Sequence, residues 1–343
     1  MKTLFILLIV FFIILFLYIA FALFVVFIAN RKLFSKRGED PDNICYLTYD
    51  DFPELEREEY SAILRKATLR GYIYSRKDKN EYKGLIILSH GFFGTHVQYL
   101  IDIDYLTKLG YRVLAFDNFG VGLSSGENQG SFVFSYYSLR AVLEDVERRE
   151  LNEDLPIYLY GHSMGGYAVS LTLRYHPEVK KAIVRSAPLS AGIAGRDLLH
   201  LQNKFLYYFL YPIIPLCFSL LGTKRENSSS YREIKKSRET AVLLIHSKND
   251  NLVPYKHSLA RKVEHLKRDN FEIFVTEGGL HNSFVTEESS NNYSKLKEEY
   301  KKLVKEGDNK KLDQFALKLK RDKRNYYQIS SDVKEKITEF LEK

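Results

Sequence analysis

The sequence predicts an α/β protein built on a mostly parallel sheet with helices on both faces. Three observations carry that expectation. Short, strongly apolar runs alternate with amphipathic helical stretches, which is how strands buried on both faces read. Polar or glycine-rich loops follow four of those runs, so all four would fall at one edge of the sheet, where open parallel sheets place their sites. A serine framed by glycines stands at a strand-to-helix turn on that same edge.

Taken in order, the chain begins outside the sheet. Thr3 to Ala29 contains no charge, Gly or Pro and is dense in Phe, Leu, Ile and Val. As a helix it would reach about 40 Å against a hydrocarbon core of about 30 Å, so residues 1–30 are expected to form a tilted transmembrane anchor. A cleaved signal peptide, with Ala20-Phe21-Ala22 at the cut, is the competing reading. The apolar run continues past that cut from Leu23 to Ile28, which argues for the anchor. Arg31, Lys32, Lys36 and Arg37 follow the helix, whereas only Lys2 and the amino terminus precede it. That asymmetry favours a cytoplasmic domain, although a lone basic residue also opens many anchors with an external domain.

Residues 31–59 read as a juxtamembrane linker, with one short strand near Cys45 to Tyr49, and residues 60–343 as the globular domain. Ser61 to Tyr74 alternates with period two, and Thr68 to Tyr72 reads as a hairpin of early strands. Apolar strands are expected at Gly84–Ser89, Tyr111–Phe116, Ile157–Tyr160, Lys181–Ser186, Ala241–His246 and Phe271–Thr276. Helices are expected at Gln98–Leu109, Ser135–Glu150, Tyr167–Tyr175 and Tyr255–Leu266, with a closing helix near Asp332–Leu341. Two stretches interrupt the alternation. Residues 190–237 carry an apolar core, Phe205 to Leu221, broken by Pro212 and Pro215. Residues 291–325 are rich in lysine and read as two polar helices, Lys295–Lys305 and Lys310–Arg324.

Composition excludes several classes. The net charge of +8 is spread along the 343 residues, and no basic run interleaved with aromatics suggests a nucleic-acid groove. Cys45 and Cys217 are too few and too far apart for a disulfide framework or a metal site, so no metal is expected.

The chemistry is carried by Gly161-His162-Ser163-Met164-Gly165-Gly166, a nucleophile-elbow pattern between an apolar run and a helix. Serine is a poor nucleophile unless a base takes its proton and a carboxylate orients the base. Of nine histidines, His281 follows the last strand in a Gly-rich loop that lets an imidazole reach across, and it is the expected base. His176, His257 and His265 have helical settings, and His162, beside the serine on a tight turn, is expected to pack. Asp250, in the loop after its strand, is the expected orienting acid; Asp117 competes from the earlier half of the sheet, where a structural turn role is expected. Two backbone donors should hold an oxyanion: the N–H of Met164, and that of Phe92 in the His90-Gly91 loop, which His90 would brace. Phe93 and His96, with Phe205 and Leu216 from the apolar excursion, are expected to line the substrate pocket.

From about Tyr60 to Phe284, plus the last helix, the chain resembles the α/β-hydrolases. More particularly it is similar to the single-domain hydrolases grouped with serine aminopeptidases, monoacylglycerol lipases and lysophospholipases. The resemblance is carried by Ser89-His90-Gly91-Phe92-Phe93-Gly94, by Phe116 to Ser124, by the elbow, by His246 to Pro254 and by His281. It implies an eight-stranded, mostly parallel sheet, a helical cap over residues 190–237 after the sixth strand, and no cofactor. The elbow serine disfavours the relatives that use an elbow aspartate, such as epoxide hydrolases and haloalkane dehalogenases. A second membrane span through residues 205–221 would part Ser163 from Asp250 and His281, so a lid able to dip into lipid is expected instead. The expected activity is that of a membrane-anchored serine hydrolase on acyl-lipid esters such as monoglycerides or lysophospholipids. A peptidase or amidase on short peptides is one alternative, and a non-catalytic membrane adaptor that keeps the fold is another. The 291–325 insertion reads either as a solvated helical hairpin or as a lysine face resting on anionic headgroups.

Overall fold

In the computed structural model, which describes residues 2–40, 44–221, 228–266 and 268–343, eight strands form one sheet. They are β1 (Leu55–Leu64), β2 (Ala67–Arg76), β3 (Leu85–Ser89), β4 (Arg112–Phe116), β5 (Ile157–His162), β6 (Lys181–Arg185), β7 (Ala241–Ser247) and β8 (Phe271–Thr276). Their order is β1-β2-β4-β3-β5-β6-β7-β8. β1 and β2 pair antiparallel, as do β2 and β4; every pairing from β4 through β8 is parallel.

Twelve described helices accompany the sheet: α1 (Lys2–Phe34), α2 (Leu100–Lys108), α3 (Phe134–Arg148), α4 (Met164–Thr172), α5 (Ala191–Gln202) and α6 (Lys204–Leu210) come first. α7 (Ile214–Leu221), α8 (Ser230–Ile234), α9 (Leu259–Val263), α10 (Glu287–Glu306), α11 (Asn309–Asp322) and α12 (Ser331–Glu342) complete them. The sheet is buried on both faces because β3, β4 and β5 are apolar along most of their length and buried at every position, so each face needs its own cover. α2 and α12 supply Leu100, Ile103, Leu106, Val333 and Ile337 to one core. α3, α4 and α9 supply Leu139, Val142, Met164, Val169 and Leu259 to the other.

Helices α5 to α8 form the cap between β6 and β7. α10 and α11 form the insertion and close around Leu296, Phe315 and Leu319, with Cys45 from the amino-terminal region completing that small core. The insertion therefore has an apolar seam as well as a solvated face.

α1 is long and apolar enough to cross a membrane. It also packs: Ala22 and Val26 are buried with Tyr207, Leu210, Ile213 and Cys217 of the cap. Of residues 31–59, expected as a linker, Phe34 is buried in the main core and residues 34–38 are hydrogen-bonded onto the loop after β4. Gln129 N–H donates to the Phe34 carbonyl (3.1 Å), Gly38 N–H to Gly120 (2.9 Å) and Gly122 N–H to Gly38 (2.8 Å). The Arg37 guanidinium adds bonds to the carbonyls of Gly126 (2.7 Å) and Gly122. The expected strand near Cys45 is a turn followed by a 3-10 turn at Tyr49–Asp51. The early hairpin turns at Arg65-Lys66, not within residues 68–72, which lie inside β2.

Candidate active site

Ser163 sits between the last residue of β5 and the first of α4, with φ 56° and ψ −117°. That conformation is strained for a residue with a side chain, and the packing around it enforces it. A Cβ on Gly165 would lie 1.9 Å from the Ser89 carbonyl oxygen, and one on Gly161 would lie 2.5 Å from that of Gly165. Only glycine lets the turn close this tightly. α4 begins at Met164, so its first N–H groups have no partner within the helix and point with the positive dipole end toward the serine.

His281 lies two residues after Gly279 (φ 95°) and directly after Leu280 (φ 50°), in a loop that turns back to the sheet edge. Its Nδ1 stands 2.9 Å and 3.0 Å from the two Asp250 carboxylate oxygens. Asp250 is fully buried and also accepts the N–H groups of Leu252 (2.9 Å) and Val253 (2.8 Å). Those bonds fix the carboxylate, which His246 Nε2 also approaches at 3.4 Å; with Nδ1–H given to Asp250, Nε2 is the nitrogen of His281 left to accept a proton. The backbone of His281 is tied to the serine's own neighbours. Its carbonyl accepts from His162 Nε2–H (3.0 Å) and Ser186 Oγ–H (2.9 Å), while Ser163 N–H donates to Arg185 (2.8 Å).

The loop from His90 to Gly94 is joined to the same network. Gly91 N–H donates to the Tyr99 hydroxyl (2.8 Å), which donates in turn to His162 Nδ1 (2.8 Å). With Nε2–H given to His281, His162 is a neutral imidazole, and burial, together with the charge of His281, holds its pKa well below the usual histidine value. Phe92 N–H has no partner among the described residues, and Phe93 takes φ 57° in the turn closed by Gly94 N–H to the Gly91 carbonyl (3.2 Å). A Cβ on Gly91 would lie 3.3 Å from Ser163 Cβ, so this loop passes directly beside the serine. His90 braces it, accepting Asn118 N–H at Nε2 (2.9 Å) and donating from Nδ1 to Gly91 (2.8 Å). Sequence reasoning missed Tyr99, whose only signal was its place eight residues after Gly91 in a helix start.

Asp117 holds the adjoining loops together. It accepts His96 N–H (2.8 Å), His96 Nδ1 (2.9 Å) and Leu123 N–H (2.9 Å). Burial raises its pKa, but the hydrogen bond and charge of His96 outweigh that and hold it below the carboxylate norm. His96 was expected in the pocket; it is instead buried on Asp117 with its ring against Tyr72 and Tyr74. Phe205 (81% exposed) and Leu216 (46% exposed) were also expected there, but they face outward from the cap. Of the four expected pocket residues only Phe93 lines the apolar cavity under the cap.

That cavity, of about 760 Å³, lies between the end of α1, the cap helices α5 and α7, and the loops carrying Phe93 and Phe132. Phe34 reaches the loop after β3 directly, its ring 5.0 Å from that of Phe92. Phe132 packs edge-on to Tyr167 of α4 at 5.2 Å. The unforeseen wall is α1, because a wholly apolar helix reads in sequence as lipid-facing throughout.

Comparison with known proteins agrees with this architecture. Residues 80–233 match the family described as serine aminopeptidase, S33. Monoglyceride lipase of Saccharomyces cerevisiae is 24% identical over 291 residues, covering 71% of this chain and 90% of that protein. An uncharacterized protein of Bacillus subtilis is 25% identical, covering 81% of this chain and 90% of its own length. A solved esterase of Pyrococcus furiosus superposes with a TM-score of 0.54 at 21% identity, covering 79% of this chain and 97% of that one, a likeness of fold. The chain has the α/β-hydrolase fold.

Proposed function

We propose that this protein is a serine hydrolase, held at a membrane by α1, that cleaves carboxylic esters of acyl lipids through an acyl-enzyme. The observation that carries the reading is the buried Asp250–His281 pair, tied through the His281 carbonyl to the residue preceding an elbow serine. In this reading Ser163 Oγ bonds to the ester carbonyl carbon as its proton passes to His281 Nε2. Asp250 holds the tautomer and balances the imidazolium. The N–H groups of Phe92 and Met164 stabilise the oxyanion. His281 then protonates the departing alcohol, and water, deprotonated by the same imidazole, releases the carboxylic acid and restores the serine.

Ester chemistry on an acyl chain is favoured by the largely apolar cavity that Phe93 lines, two residues after Gly91, and by the similarity to a protein named monoglyceride lipase. A peptidase of the aminopeptidase type would need an acid to hold the free amine. Asp197 is bound to Arg196 (3.2 Å) and His257 (3.0 Å), and Glu233 to Arg174 (3.1 Å); Glu226 lies outside the described residues. The test is fluorophosphonate labelling with an ester panel. Labelling should vanish in Ser163→Ala, and long-chain esters should be cleaved in preference to acetyl esters and peptides. Labelling that persists in that variant, or activity on peptides alone, rejects the reading.

A further inference from the structure

The cavity's lining combines two features that a chain-binding pocket alone does not require. Its deep walls are apolar, with Val26 of α1 facing Leu199, Leu206 and Phe218 of the cap. Its rim carries Arg31, Lys32 and Lys36 from the end of α1 and Arg196 from α5, and no acidic side chain lines it. Arg196 is already engaged by Asp197, whereas Arg31, Lys32 and Lys36 have no acidic partner within 4.0 Å among the described residues. Three cations without a counter-charge around one opening create a field that a neutral ligand does not use.

The position of α1 says where a ligand comes from. Its first half stands clear of the protein, while Tyr18 and Phe21 contact Phe209 of the cap, and Tyr18 donates to the Phe209 carbonyl (2.7 Å). The outward side of that cap region bears Phe205, Tyr208 and Leu220, each more than 60% exposed. With α1 across a bilayer, these residues meet acyl chains, and the cavity mouth at residues 25–36 lies at headgroup level. α6 and α7, with 7 and 8 residues, are too short to cross and can only dip.

We propose that α1 is a wall of the substrate cavity and that the substrate is a single-chain acyl lipid with an anionic headgroup, drawn sideways out of the bilayer. The chain lies between α1 and the cap, and Arg31, Lys32 and Lys36 take the headgroup. This rests on the ester-hydrolase reading and narrows its substrate.

Lysophosphatidate and monoacylglycerol of one chain length differ only by the phosphate, so the pair isolates the headgroup. With full-length protein in phosphatidylcholine vesicles, kcat/KM should favour lysophosphatidate by about tenfold, the scale of two or three partly exposed charge contacts. The double variant Arg31→Glu/Lys32→Glu should lower that ratio at least severalfold. Because the sequence contains no Trp, Phe218→Trp in a Ser163→Ala background supplies a binding readout that needs no turnover. Brominated lysophosphatidate should quench it more strongly than brominated monoacylglycerol. A short water-soluble ester that wild type leaves intact sinks the ester reading, and quenching then still decides the lipid site. Equal quenching by the two lipids, or a rate ratio that charge reversal leaves unmoved, overturns the proposal and leaves the cations as helix-end anchors only.

Discussion

The Tyr99 hydroxyl accepts from Gly91 and donates to His162, so one phenol links the loop after β3, the turn at Ser163 and the loop carrying His281. Tyr99→Phe removes that link while keeping the ring, leaving Gly91 N–H and His162 Nδ1 buried without partners. A buried group stripped of its hydrogen bond costs about 1–3 kcal/mol, and part of that cost should fall on transition-state geometry. Steady-state kinetics on a soluble ester should show kcat lowered about tenfold or more with KM nearly constant. A rise in KM alone would assign Tyr99 to substrate binding instead. His90, His162 and His246 are all buried, and burial lowers each pKa. The unfolded chain therefore binds protons near pH 6.5 that the folded chain refuses, so stability is full above that value and falls as pH drops below it. Each group contributes a slope of at most about 1.4 kcal/mol per pH unit. Asp117, held low, adds a loss in the same direction but only at more acid pH. Denaturant midpoints measured between pH 7 and 5 should fall steeply, and a flat profile would contradict three neutral histidines.

At the scale of elements, the cap and the end of α1 divide the cavity between them. Gly195 of α5 lies against Phe218 of α7: a Cβ there would come within 2.6 Å of the Phe218 ring. Gly195→Val should push that ring and shorten the apolar space, so the ratio of long-chain to short-chain ester hydrolysis should fall severalfold. Unchanged chain-length preference would place the acyl group elsewhere. Phe34→Ala tests the clamp of α1 to the site. The side chain is buried on Phe92, and such truncations cost about 3–5 kcal/mol in a packed core. The same elements show what the sequence could tell. Strands buried on both faces read directly as apolar runs, and the cap and insertion stood out as breaks in the alternation. The hairpin expected within residues 68–72 does not turn at Gly71. In fact a Cβ there would lie 2.2 Å from the Ala115 carbonyl oxygen, so the glycine serves close strand approach, and the turn falls at Arg65 (φ 56°). His96 misled for a similar reason: its burial follows from pairing with Asp117 in a distant loop, which no local pattern reports.

For the whole molecule, the site stands on a buried charge pair beneath the sheet edge. Arg185 donates to Asp102 (2.7 Å), Tyr160 donates to the same oxygen (2.5 Å), and the guanidinium lies over the rings of Tyr160 and Phe284. Burial pushes the Asp102 pKa up, and the charge of Arg185 opposes that push. Removing one partner leaves the other charge uncompensated, so Asp102→Ala should destabilise by about 3–5 kcal/mol in denaturant unfolding. Since the Arg185 carbonyl holds Ser163 N–H, that loss should also reach the elbow. The pairing of Asp250 with His281 was legible because chain order and strand-end position together bring both loops to the sheet edge that carries Ser163. The contribution of α1 was not, since Phe34 meets Phe92 only through tertiary folding. The central claim is that Ser163 carries the acyl group. Intact-mass and peptide analysis after brief reaction with an activated long-chain ester tests it most directly. One acyl group should appear on the Ser163 peptide, persist longer in His281→Ala if it forms there, and be absent in Ser163→Ala; acylation at another residue, or at the same level without Ser163, would contradict the account.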